Sequence, residues 1–123
     1  MATDFTTLEK ALTQLESALR SPPANNLERD GTIQRFEYTF ELSWKVAKRV
    51  LEESGISATT PKAVIRELGT HGWVPRVETW LDFLKNRNAS THTYIEKTAN
   101  EVFSAARTFP VECRALIEKM KKQ

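Results

Sequence analysis

Ile33-Gln34-Arg35-Phe36-Glu37-Tyr38-Thr39-Phe40-Glu41-Leu42-Ser43-Trp44-Lys45-Val46-Ala47-Lys48-Arg49-Val50-Leu51 carries its apolar residues in steps of three and four. Ile33, Phe36, Phe40, Trp44, Ala47 and Leu51 fall on one face at about 100° per residue, and Val50 widens that stripe. Strict alternation is absent, so the stretch reads as an amphipathic helix and not as a strand. The pattern predicts a helix from about Glu28 or Asp30 to Ser54, with Gly55 as its C-terminal stop. Along the polar side Glu37, Glu41, Lys45 and Arg49 recur every fourth residue, with Glu41 placed N-terminal to Lys45 as favours an ion pair within one helix. Such a ridge reads as a solvated face, and Trp44 beside it reads as core.

The same periodicity extends in both directions. Upstream, Thr6-Thr7-Leu8-Glu9 has the form of a capping box, followed by Leu8, Ala11, Leu12, Leu15, Ala18 and Leu19. Ser21-Pro22-Pro23-Ala24-Asn25-Asn26 ends that helix in a loop. Downstream, Thr60 as N-cap and Pro61 in the first helical position open a short helix carrying Val64, Ile65 and Leu68, which should stop near Gly69. His71-Gly72-Trp73-Val74-Pro75 reads as a turn, its tryptophan either a lid over the core or part of an interface. A helix from about Arg76 to Asn88 carries Trp80, Leu81, Phe83 and Leu84. A last one, from about Ile95 to Lys122, carries Ala99, Val102, Phe103, Ala106, Val111, Leu116 and Met120, with a kink expected at Pro110. Four principal helices joined by short connections imply an all-α fold: an antiparallel up-and-down four-helix bundle with an additional short helix.

Composition agrees with one such domain spanning residues 1–123. Hydrophobic residues make up 40% and charged residues 28%, a globular profile. The net charge of +2 permits contact with nucleic acid without demanding it. A lone cysteine, Cys113, excludes an intrachain disulfide and fits a reducing cytoplasm. Met1 to Asp4 lead directly into helical patterning without a leader-like basic and apolar stretch, and no apolar run reaches the roughly 18 residues of a membrane span. The expectation is a soluble cytoplasmic protein.

Chemistry concentrates in Arg87-Asn88-Ala89-Ser90-Thr91-His92-Thr93-Tyr94. Arginine holds a fixed charge that grips phosphate in two-pronged fashion, and histidine titrates near neutrality. On a continuous helix Asn88 and His92 share a face, whereas Arg87 and His92 point about 140° apart. They converge on one phosphate only if the helix unwinds between them or if two copies of the site meet. Ser90-Thr91-His92-Thr93 favours unwinding, because these side chains compete for backbone hydrogen bonds. A bland alternative stands beside this one: the helix dipole alone favours Arg and His near a C-terminus. The other histidine, His71, reads as a solvated loop residue. Zinc motifs, a Gly-rich phosphate loop and a paired-aspartate magnesium site are missing from the sequence, so no metal ligands and no cofactor are expected.

Arg87-Asn88-x-x-x-His92-x-Tyr94 resembles the signature of HEPN domains (higher eukaryotes and prokaryotes nucleotide-binding). More narrowly, it is similar to the small bacterial and archaeal subgroup of nucleotidyltransferase substrate-binding proteins. Arg35 to Lys45, Thr60-Pro61-Lys62-Ala63-Val64-Ile65-Arg66-Glu67 and Trp80-Leu81-Asp82 resemble the same subgroup, so the likeness runs from about Ile33 to Phe109. One departure is Ala89, where a larger apolar residue is expected.

The resemblance implies a helical bundle that forms a homodimer and binds a cognate minimal nucleotidyltransferase, as in toxin-antitoxin pairs. It implies nucleotide or RNA binding and metal-independent endoribonuclease activity. Arg87 would hold the scissile phosphate and His92 would act as general acid or base. Asn88 would orient His92 or the substrate, and Tyr94 would accept an adenylyl group that silences the activity. The alternative it leaves open is a non-catalytic substrate-binding subunit of a two-chain nucleotidyltransferase.

Overall fold

A computed structural model of the chain describes residues 3–123; Met1 and Ala2, which begin the segment read as leaderless, lie outside the described residues. Those residues form α1 (Thr6–Ala18), α2 (Asn26–Glu53), α3 (Pro61–Thr70), α4 (Val77–Ala89), a tight 3-10 turn (Ser90–His92) and α5 (Glu96–Lys121). The fold is all-α, and no strand occurs among the described residues.

Helix ends follow from local chemistry, not always as expected. α2 starts at Asn26 instead of Glu28 or Asp30, because the extended Asn25 caps it. The Asn25 Oδ1 accepts from the Glu28 amide at 2.9 Å, and the Glu28 carboxylate accepts from the Ala24 amide at 2.8 Å. The first satisfies an amide that the helix start leaves unpaired, and the second ties down the residue before the cap. Thr60 caps α3 as its sequence indicates, accepting from Ala63 at 3.1 Å with Pro61 behind it. The capping box at Thr6 does not form. Phe5 occupies the N-cap position, and the Asp4 carboxylate accepts from the Thr6 amide at 2.9 Å.

Two helices close with the same device. After α2, Ile56 donates to the Leu51 carbonyl and Gly55 to that of Glu52, both at 2.9 Å, with Gly55 at φ +81°. This Schellman turn needs a left-handed residue, which glycine supplies cheaply. After α3, Trp73 donates to Leu68 at 2.9 Å and Gly72 takes the left-handed position. The stop is therefore Gly72 and not Gly69, and α3 runs on to Thr70. Gly69 serves packing instead: a Cβ there would collide with Cγ2 of Val77 at the start of α4. Trp73, the residue completing the turn, is buried together with Val74, so this tryptophan is core.

Side-chain register gives the helix directions. Glu9 pairs with Lys121 at 2.8 Å and Glu16 with Arg114 at 2.7 Å, so α1 and α5 run in opposite senses. Gln14 meets Arg35 and Tyr38 at 3.0 Å while Thr3 meets Glu53 at 2.8 Å, which opposes α1 and α2. Glu37 and Glu41 on α2 face Ser90 and Arg87 respectively, opposing α2 and α4. The four long helices thus alternate in direction, and α3 bridges α2 and α4. The two co-directed helices, α2 and α5, press against each other through the centre.

That centre is aromatic. Phe109 meets Phe36, Trp80 and Phe83 with ring centroids 5.4, 5.5 and 5.1 Å away at steep angles, and Phe40 completes the cluster at 5.9 Å. Such edge-to-face contacts contribute about 0.5–1.5 kcal/mol per pair beyond burial itself. Pro110 follows immediately, yet α5 continues through it as one helix. Cys113 is buried one turn on, and burial pushes its thiol up to about 12. No helix among the described residues is long and apolar enough to cross a membrane.

Candidate functional site

Arg87 lies in the last turn of α4, where its side chain crosses to α2. One terminal nitrogen, Nη2, sits 2.7 Å from the Glu41 carboxylate, and the other, Nη1, donates to Asn88 Oδ1 at 3.2 Å. Glu41 also faces Lys45 at 3.5 Å, the pair its four-residue spacing anticipates. Solvent still reaches the ion pair, with Arg87 36% and Glu41 28% exposed. The charge of Arg87 is therefore directed, not buried. Its Nε is covered without a protein partner.

α4 ends at Ala89, and the backbone tightens into the turn Ser90–His92. Ser90 drives this change. Its hydroxyl reaches the Arg87 carbonyl at 2.6 Å and also the Glu37 carboxylate on α2. A serine bonded back to the preceding turn competes with helix continuation, as expected of this run. Ala89, the small residue in the signature, is half-buried against the core.

His92 and Tyr94 follow on the exposed side. The two rings stand 5.7 Å apart at 77°, and the Tyr94 hydroxyl lies 3.0 Å from His92 Nδ1. With Nδ1 donating to the phenol oxygen, Nε2 is left as the accepting nitrogen, and it faces no hydrogen-bonding partner among the described residues. Tyr94 is 79% exposed and Ile95 next to it 47%. Beyond them the start of α5 is fastened by Arg29, which is 7% exposed and pairs with Glu96 at 2.7 Å and Asp30 at 3.1 Å. Burial alone would lower the Arg29 pKa, but its bonds to Glu96 and Asp30 outweigh that and raise it.

Within one chain the four signature residues form two pairs, Arg87 with Asn88 and His92 with Tyr94. No hydrogen bond joins the pairs among the described residues. The Asn88 carboxamide oxygen is engaged by Arg87, and the helical face that Asn88 and His92 would share is broken by the change of pitch at Ser90. Two residues join the site that sequence reasoning placed elsewhere, Glu37 and Glu41, and Ser90, read from the sequence only as a helix breaker, gains a contact to α2. The acidic half of the α2 ridge is not a free solvated face; it is the surface on which the α4 terminus rests. The signal was the ridge itself, running beside the apolar stripe that α4 has to cover.

The arrangement offers an anchored guanidinium with donors left over and an exposed imidazole with one ring nitrogen oriented. Their natural counterpart is an anion carrying transferable protons, such as a phosphodiester next to a hydroxyl.

Comparison with known proteins gives this geometry its context. Residues 3–122 match the family model described as nucleotidyltransferase substrate binding protein like. The chain is 31% identical over 98 residues to Probable ribonuclease HepT of Haemophilus influenzae, covering 76% of this chain and 67% of that one. A protein of Thermus thermophilus of known crystal structure superposes with a TM-score of 0.87 at 31% identity, over 93% of this chain and 98% of the other. A second structure, from Haemophilus influenzae and described as the substrate binding domain of a nucleotidyltransferase, shares the fold with a TM-score of 0.82 at 24% identity, over 96% and 99% of the two chains. With the match running almost from end to end, this chain belongs to the nucleotidyltransferase substrate binding protein like family.

Proposed function

We propose that this protein is the helical partner of a minimal nucleotidyltransferase in a two-component, toxin-antitoxin-like module of the cytoplasm, and a metal-independent endoribonuclease held silent by adenylylation of Tyr94. The observation that carries the reading is the contact between two exposed side chains, the Tyr94 hydroxyl 3.0 Å from the imidazole of His92. A group attached to that oxygen would crowd the imidazole and displace the contact that orients it. Similarity to Probable ribonuclease HepT supports the cleavage chemistry, and the family description supports the nucleotidyltransferase partner.

In the reaction, Arg87 binds the scissile phosphate and stabilises the charge that develops on it. His92 removes the proton from the 2′-hydroxyl as that oxygen attacks phosphorus. The bond to the 5′-oxygen breaks, and the departing oxygen takes a proton from the partner subunit's His92. The products are a 2′,3′-cyclic phosphate and a 5′-hydroxyl. A homodimer that sets two copies of the signature around one strand supplies both imidazoles. Asn88 enters by holding Arg87, to which it is bonded.

The test uses purified protein and single-stranded RNA in the presence of a chelator. Cleavage by the wild type and its loss in His92→Ala are expected; equal cleavage by the variant refutes the assignment. Incubation with the nucleotidyltransferase and ATP should add an adenylyl mass to the wild type and not to Tyr94→Phe. A second reading, a non-catalytic subunit presenting substrate to the nucleotidyltransferase, is favoured by the family description. It predicts no cleavage by the wild type, and transferase activity that depends on this chain.

A further inference from the structure

We propose that the acidic ridge of α2 is a positioning element of the site, with Glu41 holding Arg87 directly and Glu37 holding the turn that leads to His92. The assignment rests on four contacts, two of which join segments distant in sequence. Glu41 sits 2.7 Å from Arg87 Nη2, Asn88 takes Nη1 at 3.2 Å, and the Ser90 hydroxyl bridges the Glu37 carboxylate and the Arg87 carbonyl. A guanidinium carries five N–H donors in one rigid plane. Glu41 and Asn88 each engage one, from opposite terminal nitrogens, and Nε is covered by protein. One N–H on each terminal nitrogen is left over. That remaining pair is open to the oxygens of a phosphate.

The energetic logic separates positioning from ligand binding. A carboxylate beside Arg87 reduces the positive potential that draws in a polyanion, so Glu41 works against raw affinity. What it supplies is orientation: an arginine on a flexible stem loses side-chain freedom before the substrate arrives. Glu41 is thus expected to raise turnover at the expense of binding. Glu37 fixes the same geometry by its grip on Ser90, the residue at which the α4 terminus changes pitch.

The kinetic part of this inference rests on the ribonuclease reading, whereas the structural part does not, and two measurements keep them apart. The first is nitrogen-15 NMR of the arginine side chains. Restricted rotation of the Arg87 guanidinium is expected in the wild type, with free rotation in Glu41→Gln. The second is steady-state cleavage of single-stranded RNA. Glu41→Gln should lose about 10²-fold in kcat, the usual cost of a misplaced catalytic group, while KM stays level or falls. Glu41→Asp should recover part of the loss. Lys45→Met, which removes the other partner of Glu41, should remain within about two-fold, as for a screened surface pair. A structural role alone would instead lower kcat in step with Tm, leave KM unmoved and show no rescue, and that pattern overturns the proposal. An Arg87 signal unchanged in Glu41→Gln overturns it as well, whether or not the wild type cleaves RNA. A rigid Arg87 that loosens in Glu41→Gln, in a protein without cleavage, upholds the positioning and removes the ribonuclease.

Discussion

The aromatic centre and the signature corner are built on opposite terms, although α2 contributes to both. Around Phe109, five large rings interlock with almost no solvent exposure, and no ring relies on a charge. Around Arg87 and His92, the contacts are few, polar and open to water. Dispersion and apolar burial add up over many atoms and respond little to salt, whereas a half-exposed ion pair contributes at most about 1 kcal/mol and weakens as salt rises. Stability therefore resides in the first region, and the chemistry proposed for the chain would fall to the second. The two can be altered separately.

The sharpest way to break that division is Phe109→Ala. Removing the hub of the cluster should cost about 3–5 kcal/mol in denaturant unfolding. It should also speed labelling of Cys113, whose buried thiol is otherwise protected. A loss below about 1 kcal/mol would mean that the cluster is not the keystone its geometry implies. Arg29→Met comes next. The carboxylates it abandons are solvated, Glu96 64% and Asp30 45% exposed, so no unpaired buried charge is left behind. A destabilisation of about 1–2 kcal/mol is expected from lost charged hydrogen bonds, together with faster amide exchange at the start of α5.

The corner should behave oppositely. Tyr94→Phe removes one hydroxyl from a side chain that is mostly in water, so stability should stay within about 0.5 kcal/mol. Its effect should appear instead in the His92 tautomer seen by nitrogen-15 NMR; a Tm shifted by many degrees would show that the exposed pair carries structural weight. The smallest effect concerns Glu16, whose pKa lies below its ordinary 4.5 mainly because Arg114 donates to it. A carboxylate lowered in the folded state stabilises above its unfolded value and loses that contribution as pH falls through the folded one. Glu16→Gln should accordingly flatten the acid limb of a stability–pH profile below about 4.5, by under about 1 kcal/mol for a partly exposed pair. An unchanged acid limb would assign acid sensitivity to other carboxylates.

The helices were legible because period and apolar stripe are local properties. Ile33, Phe36, Phe40, Ala47 and Leu51 are all buried as their spacing indicates. Helix ends were less so, since each depends on which of several nearby polar groups wins. Asp4 displaced the Thr6 capping box, Asn25 started α2 early, and Gly72 instead of Gly69 took the left-handed stop. Arg87, His92 and Tyr94 stood out by residue type. Glu37 and Glu41 did not, because a carboxylate ridge looks the same in sequence whether water or another helix lies against it. Only the approach of α4 distinguishes the two.

α2 grips the chain on either side of the Ser90–His92 turn, at Arg29 through Glu96 and at Glu41 through Arg87. Twelve residues of helix separate those handholds, roughly 18 Å of rigid rod at 1.5 Å per residue. The turn between them behaves like a strap riveted to a ruler. Ser90 adds a middle rivet on Glu37, so extra residues inserted beyond Thr91 would bow outward while Arg87 keeps its place.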